Sequence, residues 1–173
     1  VWLIETEHGV LPREERDGAE IVGAALRRDG VRLLCCGQSL QIARDGGAIR
    51  IGLESHGERH ELQVDRLLVA AGRSPNVAGL QLERAGVASD ARTGVTVNDR
   101  LQTSNPAIYA AGDVCSAHRF THAADFMARI VIQNALFAVG PFGRRRASKL
   151  TIPWTTYTSP EVAHVGIYDS EAA

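Results

Sequence analysis

The first 36 residues contain a strand pattern, a helix pattern and a second strand pattern, and this order constrains the fold more than any other feature. Residues 1–4 and 31–36 are short apolar runs of the kind that forms strands. Between them Asp17 and Glu20 have the spacing of a capping box, apolar residues follow at helical intervals, and Gly30 ends the segment. A strand, a helix and a strand in this order predict a parallel α/β unit.

The chain between residues 39 and 71 has a different pattern, in which apolar and polar residues alternate around two turns. Asp45-Gly46-Gly47 and His56-Gly57-Glu58 are typical hairpin turns, so we expect an antiparallel meander here. The meander leads into residues 67–71, an apolar run that ends at Gly72. Because this run is apolar throughout, we expect a strand that is buried on both faces.

Loops dominate residues 73–107, where one short strand is expected at residues 95–97. A second apolar run, residues 107–111, also ends at a glycine and is followed by Asp113. We expect this run to form a strand as well. A helix is predicted from about residue 121 to its end at Gly140-Pro141.

The composition is that of an ordinary globular protein, with 45% apolar and 23% charged residues and a formal net charge of -1. Because the charge is nearly balanced, no broad basic surface is expected for nucleic acid or an anionic membrane, and Arg144–Arg146 is interpreted as a solvated loop. No apolar stretch reaches the roughly 18 residues that a membrane span needs, and no signal-peptide pattern is recognised. These features favour a cytoplasmic protein without nucleic-acid or membrane partners.

Three cysteines, Cys35, Cys36 and Cys115, are too few and wrongly spaced for a disulfide framework or a zinc site. We expect Cys35 and Cys36 to act as small hydrophobic residues in a core strand and Cys115 to be structural. Five histidines in predicted loops, hairpins or a helix start show no metal-binding spacing; they are His8, His56, His60, His118 and His122. No metal site is therefore expected.

Two acidic residues that follow apolar strands are candidate cofactor ligands. Glu5 ends the first strand, where a carboxylate can accept both ribose hydroxyls of an adenine dinucleotide. A solvated turn remains the alternative for Glu5, because the sequence has no glycine-rich turn before it. Gly112-Asp113 ends a later strand, where the carboxylate can accept hydrogen bonds from polyol hydroxyls, with an ordinary turn as the alternative. The next helix would present free backbone donors near residues 121–123, which suit the electron-rich edge of a reduced flavin.

Three strings of the sequence resemble successive signatures of the flavin-dependent pyridine nucleotide-disulfide oxidoreductases, in the order and spacing of that family. They are Leu67–Asn76, Ile108–Val114 and Tyr157–Gly166. Residues 120–125 are similar to the mercuric-reductase-like and dihydrolipoamide-dehydrogenase-like branches. The resemblance covers nearly the whole chain.

The resemblance implies an α/β fold with parts of two Rossmann-like dinucleotide-binding domains, of the three-layer β/β/α type with an antiparallel meander. Residues 1–72 would be the second part of the NAD(P)H-binding domain, and residues 73–148 the returning segment of the FAD-binding domain. Residues 149–173 would be the start of an α+β dimerisation domain, which implies a homodimer of the full-length protein.

The resemblance also implies a set of cofactor ligands. Glu5 would bind the ribose of NAD(H), Leu40 would lie near the adenine, and Gly72 would pass close to the dinucleotide. NADP(H) is disfavoured, because the Glu5 carboxylate would repel the extra phosphate. Asp113 would hold the ribityl chain of FAD, and the backbone of residues 120–123 would face the flavin pyrimidine. The cofactor-binding residues implied in this way are Glu5, Leu40, Ala71, Gly72, Arg73, Gly112, Asp113, Phe120, Thr121, His122 and Ala123.

Several parts of the family's catalytic machinery are missing from the sequence. They are the two redox cysteines separated by four residues, the glycine turns for FAD and NAD, and the catalytic histidine and glutamate; His164 matches no catalytic position. We therefore expect an internal piece of a longer enzyme that moves electrons between NAD(P)H, FAD and a disulfide or metal-ion substrate. One alternative is a complete, non-catalytic nucleotide-binding or assembly module. Another is a flavoprotein reductase of the same plan that passes electrons to a second protein.

Overall fold

A parallel strand pair with an intervening helix forms the beginning of the chain. In this computed structural model, which describes residues 1–140 and 142–168, β1 (Trp2–Ile4) pairs in parallel with β2 (Arg32–Leu34). Helix α1 (Arg16–Arg28) connects the two strands and ends two residues before Gly30. The predicted parallel α/β unit is confirmed.

The predicted capping box at the start of α1 is wrong. The helix begins at Arg16, so Asp17 lies in its first turn and not at the N-cap. The Asp17 carboxylate accepts a hydrogen bond from the adjacent Gly18 N–H at 2.7 Å. An acid in the first turn still stabilises a helix, because its charge offsets the positive end of the helix dipole.

The predicted antiparallel meander is confirmed as a three-stranded sheet. Its strands, in spatial order, are β3 (Gln38–Asp45), β4 (Ala48–Ser55) and β5 (Glu58–Val64). The side chains of β3 are exposed along its length, whereas Ile51, Leu53 and Leu62 of the other two strands are buried. These three residues pack against Ile4 and Leu34, so the meander covers the parallel pair.

A second core forms around the long helix that the sequence predicts. Helix α2 spans Thr121–Ile132 and continues as one π-helical turn over Gln133–Phe137. The predicted start is therefore confirmed, while the regular helix is shorter than expected; of its predicted end at Gly140-Pro141, Pro141 lies outside the described residues. The buried residues of this core are Leu101, Ala123, Met127, Ile130 and Ile152.

Only short strands accompany α2. Strands β6 (Ser89–Asp90) and β7 (Gly94–Val95) pair antiparallel, and Val97 makes an isolated bridge to Thr103. The strand expected at residues 95–97 is thus limited to its first residue and shifted towards Gly94. Short 3₁₀ helices lie at Leu82–Ala85, Gly112–Val114 and Ala147–Lys149.

The two apolar runs that were expected to be strands are not strands in the structure. Residues 67–71 have no strand partner among the described residues, and Leu68 and Val69 are 88% and 73% exposed. Residues 107–111 form no strand in the described structure, and Tyr109 makes an isolated β-bridge to Gln102. A buried central strand needs a hydrogen-bonded neighbour on each side, and apolar composition alone does not supply one.

The described chain divides into two compact units. One comprises residues 1–70 and the chain from residue 155 onward, and the other comprises residues 71–154. Two further strands, β8 (Trp154–Thr156) and β9 (Val162–His164), pair with each other near the end of the described chain. Within the residues described, no helix is long and apolar enough to cross a membrane.

Candidate functional site

The second unit brings two predicted cofactor-binding residues into direct contact. Asp113 lies in the 3₁₀ helix Gly112–Val114, and its Oδ2 is 2.6 Å from Nη2 of Arg73. Both side chains reach solvent, with 67% of Arg73 and 38% of Asp113 exposed. The second nitrogen of Arg73 donates a long hydrogen bond, 3.5 Å, to the carbonyl of Arg119. Arg73 therefore joins the predicted carboxylate to the segment that precedes α2.

The 3₁₀ helix that carries Asp113 packs directly on α2. Gly112 has a φ of +79°, and a Cβ at this position would lie 3.0 Å from the Cβ of Ala124. A larger residue would push the two elements apart, so glycine here permits their close packing. Asp113 is consequently held beside the first turn of α2.

The first turn of α2 leaves backbone donors without helical acceptors. The first intrahelical hydrogen bond runs from Ala124 N–H to the carbonyl of Phe120, at 3.0 Å. The N–H groups of Thr121, His122 and Ala123 precede it, and a helix has no acceptors for these positions. Together with the helix dipole they make this end suited to an electron-rich or anionic group.

Aromatic rings brace the same turn. Phe120 stacks nearly parallel on His122, with ring centroids 5.5 Å apart, and on Trp154 at 6.1 Å. His122 Nε2 donates a hydrogen bond to the carbonyl of Pro153 at 2.6 Å. The His122 side chain is therefore occupied by packing and by a backbone contact, so that its backbone is the part that remains for a ligand.

In the first unit Glu5 lies at the carboxyl end of β1, as predicted. Its Oε1 accepts hydrogen bonds from the N–H groups of Thr6 and Glu7, at 2.8 and 3.2 Å, and its backbone bonds to Leu34 and Gly37. These contacts fix the carboxylate at the strand end and leave Oε2 for a further donor. Leu40, 53% exposed on β3, is an apolar residue that remains accessible.

The two units differ in what they assemble. Arg73, Gly112, Asp113 and the start of α2 form one group, whereas Glu5 and Leu40 belong to the other unit. Ala71 and Gly72 are exposed at the beginning of the second unit, and no heavy atom lies within 4 Å of where a Cβ of Gly72 would stand.

The expectation that Cys35 and Cys36 lie in a core strand is wrong. Strand β2 ends at Leu34, and both cysteines follow it, half-buried. They meet two histidines that are distant in sequence, and the four ligand atoms of His8, Cys35, Cys36 and His56 all lie within 4.8 Å of one another. We call these four residues the thiol–imidazole cluster.

The environment of each thiol in the thiol–imidazole cluster is different. A hydrogen bond with His56 lowers the pKa of Cys35 below its usual value, whereas desolvation raises the pKa of Cys36. The sequence holds one partial signal for the cluster, namely two adjacent cysteines and a histidine in a hairpin turn. The backbone conformation that brings them together is not visible in the residue types.

The third cysteine is isolated from this group. Cys115 is half-buried beneath the Asp113 turn, where its Sγ donates a weak hydrogen bond to the Gly112 carbonyl at 3.6 Å. Desolvation raises the pKa of Cys115 to about 11. A thiol with such a pKa is a poor nucleophile at neutral pH, in keeping with the structural role expected for it.

The chain is similar to known proteins along almost its entire length. Residues 1–128 match the family described as pyridine nucleotide-disulphide oxidoreductase. The chain is 33% identical to dihydrolipoyl dehydrogenase of Thermus scotoductus over 174 residues, which are 99% of this chain and 36% of that protein. It is also 33% identical to mercuric reductase of Staphylococcus aureus over 172 residues, which are 99% of this chain and 31% of that protein.

Solved structures give the same result. The Cu(II) complex of the HOCl-induced flavoprotein disulfide reductase RclA from Escherichia coli superposes with a TM-score of 0.83 at 31% identity, covering 99% of this chain and 37% of that one. LpdA from Mycobacterium tuberculosis superposes with a TM-score of 0.82 at 28% identity, covering 98% of this chain and 36% of that one. The chain spans about a third of the length of the curated relatives it matches.

Members of this family use FAD and NAD(P)H. With a family match over residues 1–128 and a mixed α/β fold shared with flavoprotein disulfide reductases, the chain belongs to the pyridine nucleotide-disulfide oxidoreductase family.

Proposed function

We propose that the chain supplies cofactor-binding parts of an enzyme that moves electrons between NAD(P)H, FAD and a disulfide or metal-ion substrate. The observation that carries the proposal is the match over 99% of the chain to proteins named dihydrolipoyl dehydrogenase and mercuric reductase. Their names supply the two substrate classes, a dithiol–disulfide couple and a mercuric ion. The proposal therefore concerns the whole polypeptide that carries these residues.

Two features of the second unit support FAD binding. The Asp113 carboxylate is partly exposed, Arg73 contacts its Oδ2, and Oδ1 remains for ribityl hydroxyls. The backbone N–H groups of Thr121, His122 and Ala123 would face the pyrimidine edge of the flavin, where negative charge develops on reduction. When bound, FAD supplies a centre that accepts a hydride from NAD(P)H and transfers electrons onward. The residues of this chain would hold and orient it.

In the first unit we propose that Glu5 binds the ribose of NAD(H). Its Oε1 is held by the Thr6 and Glu7 N–H groups, which leaves the rest of the carboxylate to accept from ribose hydroxyls. A carboxylate in this place disfavours NADP(H) through repulsion of the additional phosphate. Leu40 would contact the adenine, and Ala71 and Gly72 would pass close to the dinucleotide.

We also propose the domain organisation that the resemblance implies. Residues 1–72 would belong to the NAD(P)H-binding domain, and residues 73–148 to the FAD-binding domain. Residues 149–173 would begin a dimerisation domain, of which residues 169–173 lie outside the described part. The protein would act as a homodimer, and the free thiols of all three cysteines support a cytoplasmic location.

The test uses the whole natural polypeptide that contains these residues. After purification its visible absorption spectrum is recorded, and NADH oxidation is then measured with lipoamide, a small disulfide or Hg²⁺ as acceptor. We expect a flavin spectrum at close to one FAD per chain and NADH oxidation that depends on one of these acceptors. A polypeptide without flavin, or one whose flavin NADH does not reduce, would contradict the proposal.

A further inference from the structure

The thiol–imidazole cluster places four metal-ligating side chains at one point of the first unit. The Cys35 Sγ lies 3.2 Å from the His56 Nε2, and the Cys36 Sγ lies 3.6 Å from the His8 Nδ1. All four ligand atoms fall within 4.8 Å of one another. The cluster lies outside the residues to which cofactor binding is assigned above.

The backbone explains how two adjacent cysteines reach the same point. Neighbouring residues of an extended strand direct their side chains to opposite faces. Strand β2 has ended at Leu34, and Cys36 has a left-handed φ of +55°. A non-glycine residue seldom adopts this conformation. It turns the chain so that the Cys35 and Cys36 thiols share one group of neighbours.

The histidines come from two other loops. His56 is the first residue of the two-residue turn between β4 and β5, and His56 and Gly57 both have positive φ values, +52° and +78°. This is the turn geometry that matches the twist of a hairpin. His8 follows Glu7 in the loop after β1. Both imidazoles are exposed, so an ion from solvent can reach them.

Hydrogen bonds join the three segments without any ion. The Cys36 N–H donates to the carbonyl of Glu7 at 2.9 Å, which ties the cysteines to the loop that carries His8. The Ser55 hydroxyl donates to the carbonyl of Cys35 at 2.6 Å, which ties them to the hairpin that carries His56. Ser55 is only 4% exposed, so this second bond lies inside the protein. The ligand set is therefore largely assembled before binding.

The spacing of the cluster is close to that of a tetrahedral zinc site. With Zn–S bonds of about 2.3 Å and Zn–N bonds of about 2.0–2.1 Å, ligand atoms of a tetrahedron are separated by roughly 3.3–3.8 Å. The two measured thiol–imidazole distances, 3.2 and 3.6 Å, lie near this range. The largest separation, at most 4.8 Å, exceeds this range by about 1 Å, so the ligand atoms must move closer together by that amount on binding.

We propose that His8, Cys35, Cys36 and His56 bind one Zn²⁺ ion in a four-coordinate site. Two thiolates and two neutral imidazoles form a ligand set that zinc prefers, and two thiolate charges balance the charge of the ion. Each thiol gives its proton to the buffer on binding, so that Zn²⁺ replaces up to two protons and no electron is transferred. With all four positions filled by protein, the site is structural, and it fastens the loop of His8 and the hairpin of His56 to the end of β2.

The experiment measures metal binding by the intact polypeptide, reduced, stripped with a chelator and kept free of oxygen. Co²⁺ is the spectroscopic probe, because thiolate–cobalt charge-transfer absorption reports bound thiolates, and Zn²⁺ is then added to displace it. A Cys35→Ser/Cys36→Ser double variant is measured in parallel, since metal held elsewhere on the polypeptide is common to both proteins. We expect the wild type to bind one more Co²⁺ than the variant, with two-thiolate charge transfer in the difference spectrum, and one equivalent of Zn²⁺ to displace it.

Single variants test each ligand. We expect each of four variants to weaken Zn²⁺ binding by at least about 100-fold: Cys35→Ser, Cys36→Ser, His8→Gln and His56→Gln. Loss of a residue that only supports a metal ligand costs up to about 100-fold in affinity, and loss of the ligand itself should cost no less. Cys115→Ser and His60→Gln are the matched controls outside the cluster, and both should bind as the wild type does. Equal Co²⁺ binding by wild type and double variant would overturn the proposal, and so would histidine variants of undiminished affinity. If the serine variants do not fold, the charge-transfer intensity of the wild type tests the proposal by itself. An intensity that corresponds to one bound thiolate or none would also overturn the proposal.

Discussion

Asp113 and Arg73 form an ion pair of 2.6 Å that joins the segments 67–76 and 108–114, two of the strings on which the family resemblance rests. Exposed ion pairs contribute little to folding, typically below about 1 kcal/mol, and both of these side chains reach solvent. The pair therefore orients a carboxylate without making the fold depend on it. This separation of binding from stability makes Asp113 a good residue to test.

Replacing Asp113 by alanine should weaken FAD retention while leaving the fold nearly as stable. Each hydrogen bond that the carboxylate makes to a flavin hydroxyl is worth about 1.5–3 kcal/mol, against less than about 1 kcal/mol for the exposed ion pair. The flavin remaining after dialysis and the unfolding temperature are measured on the intact polypeptide. Asp125→Ala is the matched control, because Asp125 also forms a solvent-exposed ion pair, with Arg129 at 2.9 Å on α2. Full flavin retention by Asp113→Ala would remove Asp113 from the ligands.

Replacing Glu5 by arginine should shift the cofactor preference from NADH towards NADPH. We expect the ratio of kcat/KM for NADH to that for NADPH to fall about tenfold or more, which corresponds to about 1.4 kcal/mol. Steady-state kinetics of the intact enzyme measure this ratio. Glu5→Gln is the control for loop structure, because its amide oxygen can still accept from the Thr6 and Glu7 N–H groups. An unchanged ratio in Glu5→Arg would show that the ribose lies elsewhere.

Replacing Gly94 by alanine should destabilise the second unit strongly. A Cβ at Gly94 would overlap the carbonyl oxygen of Val114, and the backbone φ of +90° is itself unfavourable for alanine. Overpacking and the left-handed conformation together cost between about 2 and 5 kcal/mol. Because Val114 follows Asp113, we also expect weaker flavin binding. Thermal and denaturant unfolding measure the stability change.

Gly79 provides the control for Gly94. It has a similar φ, +78°, but no heavy atom within 4 Å of a Cβ position. Gly79→Ala should therefore show only the conformational cost, about 1–2 kcal/mol. Equal destabilisation by the two substitutions would mean that the contact with Val114 is not tight.

Cys115 should react slowly with alkylating reagents at neutral pH. Its pKa of about 11 leaves roughly one thiolate in a thousand at pH 8, whereas an ordinary cysteine of pKa about 8.5 is about one quarter ionised. Since the pKa is raised, the alkylation rate should increase about tenfold per pH unit between pH 8 and 10. Iodoacetamide labelling followed by peptide mass spectrometry measures this rate, with the same cysteine in the urea-unfolded chain as reference. A rate that is already constant above pH 9 would contradict the raised pKa.

Local patterns predict much of the first unit. The strands around α1 are apolar runs that end at polar or glycine residues, and the hairpin turns at residues 45–47 and 56–58 specify which strands are consecutive and antiparallel. These signals depend on residues that are close together in the sequence, so they can be recognised without knowledge of the tertiary structure. The position of Glu5 and Gly112-Asp113 at the ends of predicted strands also identified them as candidate cofactor ligands, and the family resemblance implied which part of NAD(H) or FAD each would bind.

Long-range properties could not be predicted in the same way. Leu68 and Val69 have the composition of a central strand, but pairing depends on neighbours that residue types do not specify. The thiol–imidazole cluster was missed for a related reason. Strand alternation would separate the Cys35 and Cys36 side chains, and only the left-handed backbone at Cys36 unites them. His56 joins them from the far end of a hairpin, a contact that depends on tertiary packing.

The loop after β1 carries Glu5 and His8 within four positions, and its backbone is bonded both to the Glu5 carboxylate and to Cys36. An ion that holds His8 would restrict the same loop that must be ordered around a ribose. Binding of zinc and of NADH would then be thermodynamically linked, and each would raise the affinity of the other by the same factor. The affinity of this protein for NADH would thus depend on whether zinc is bound.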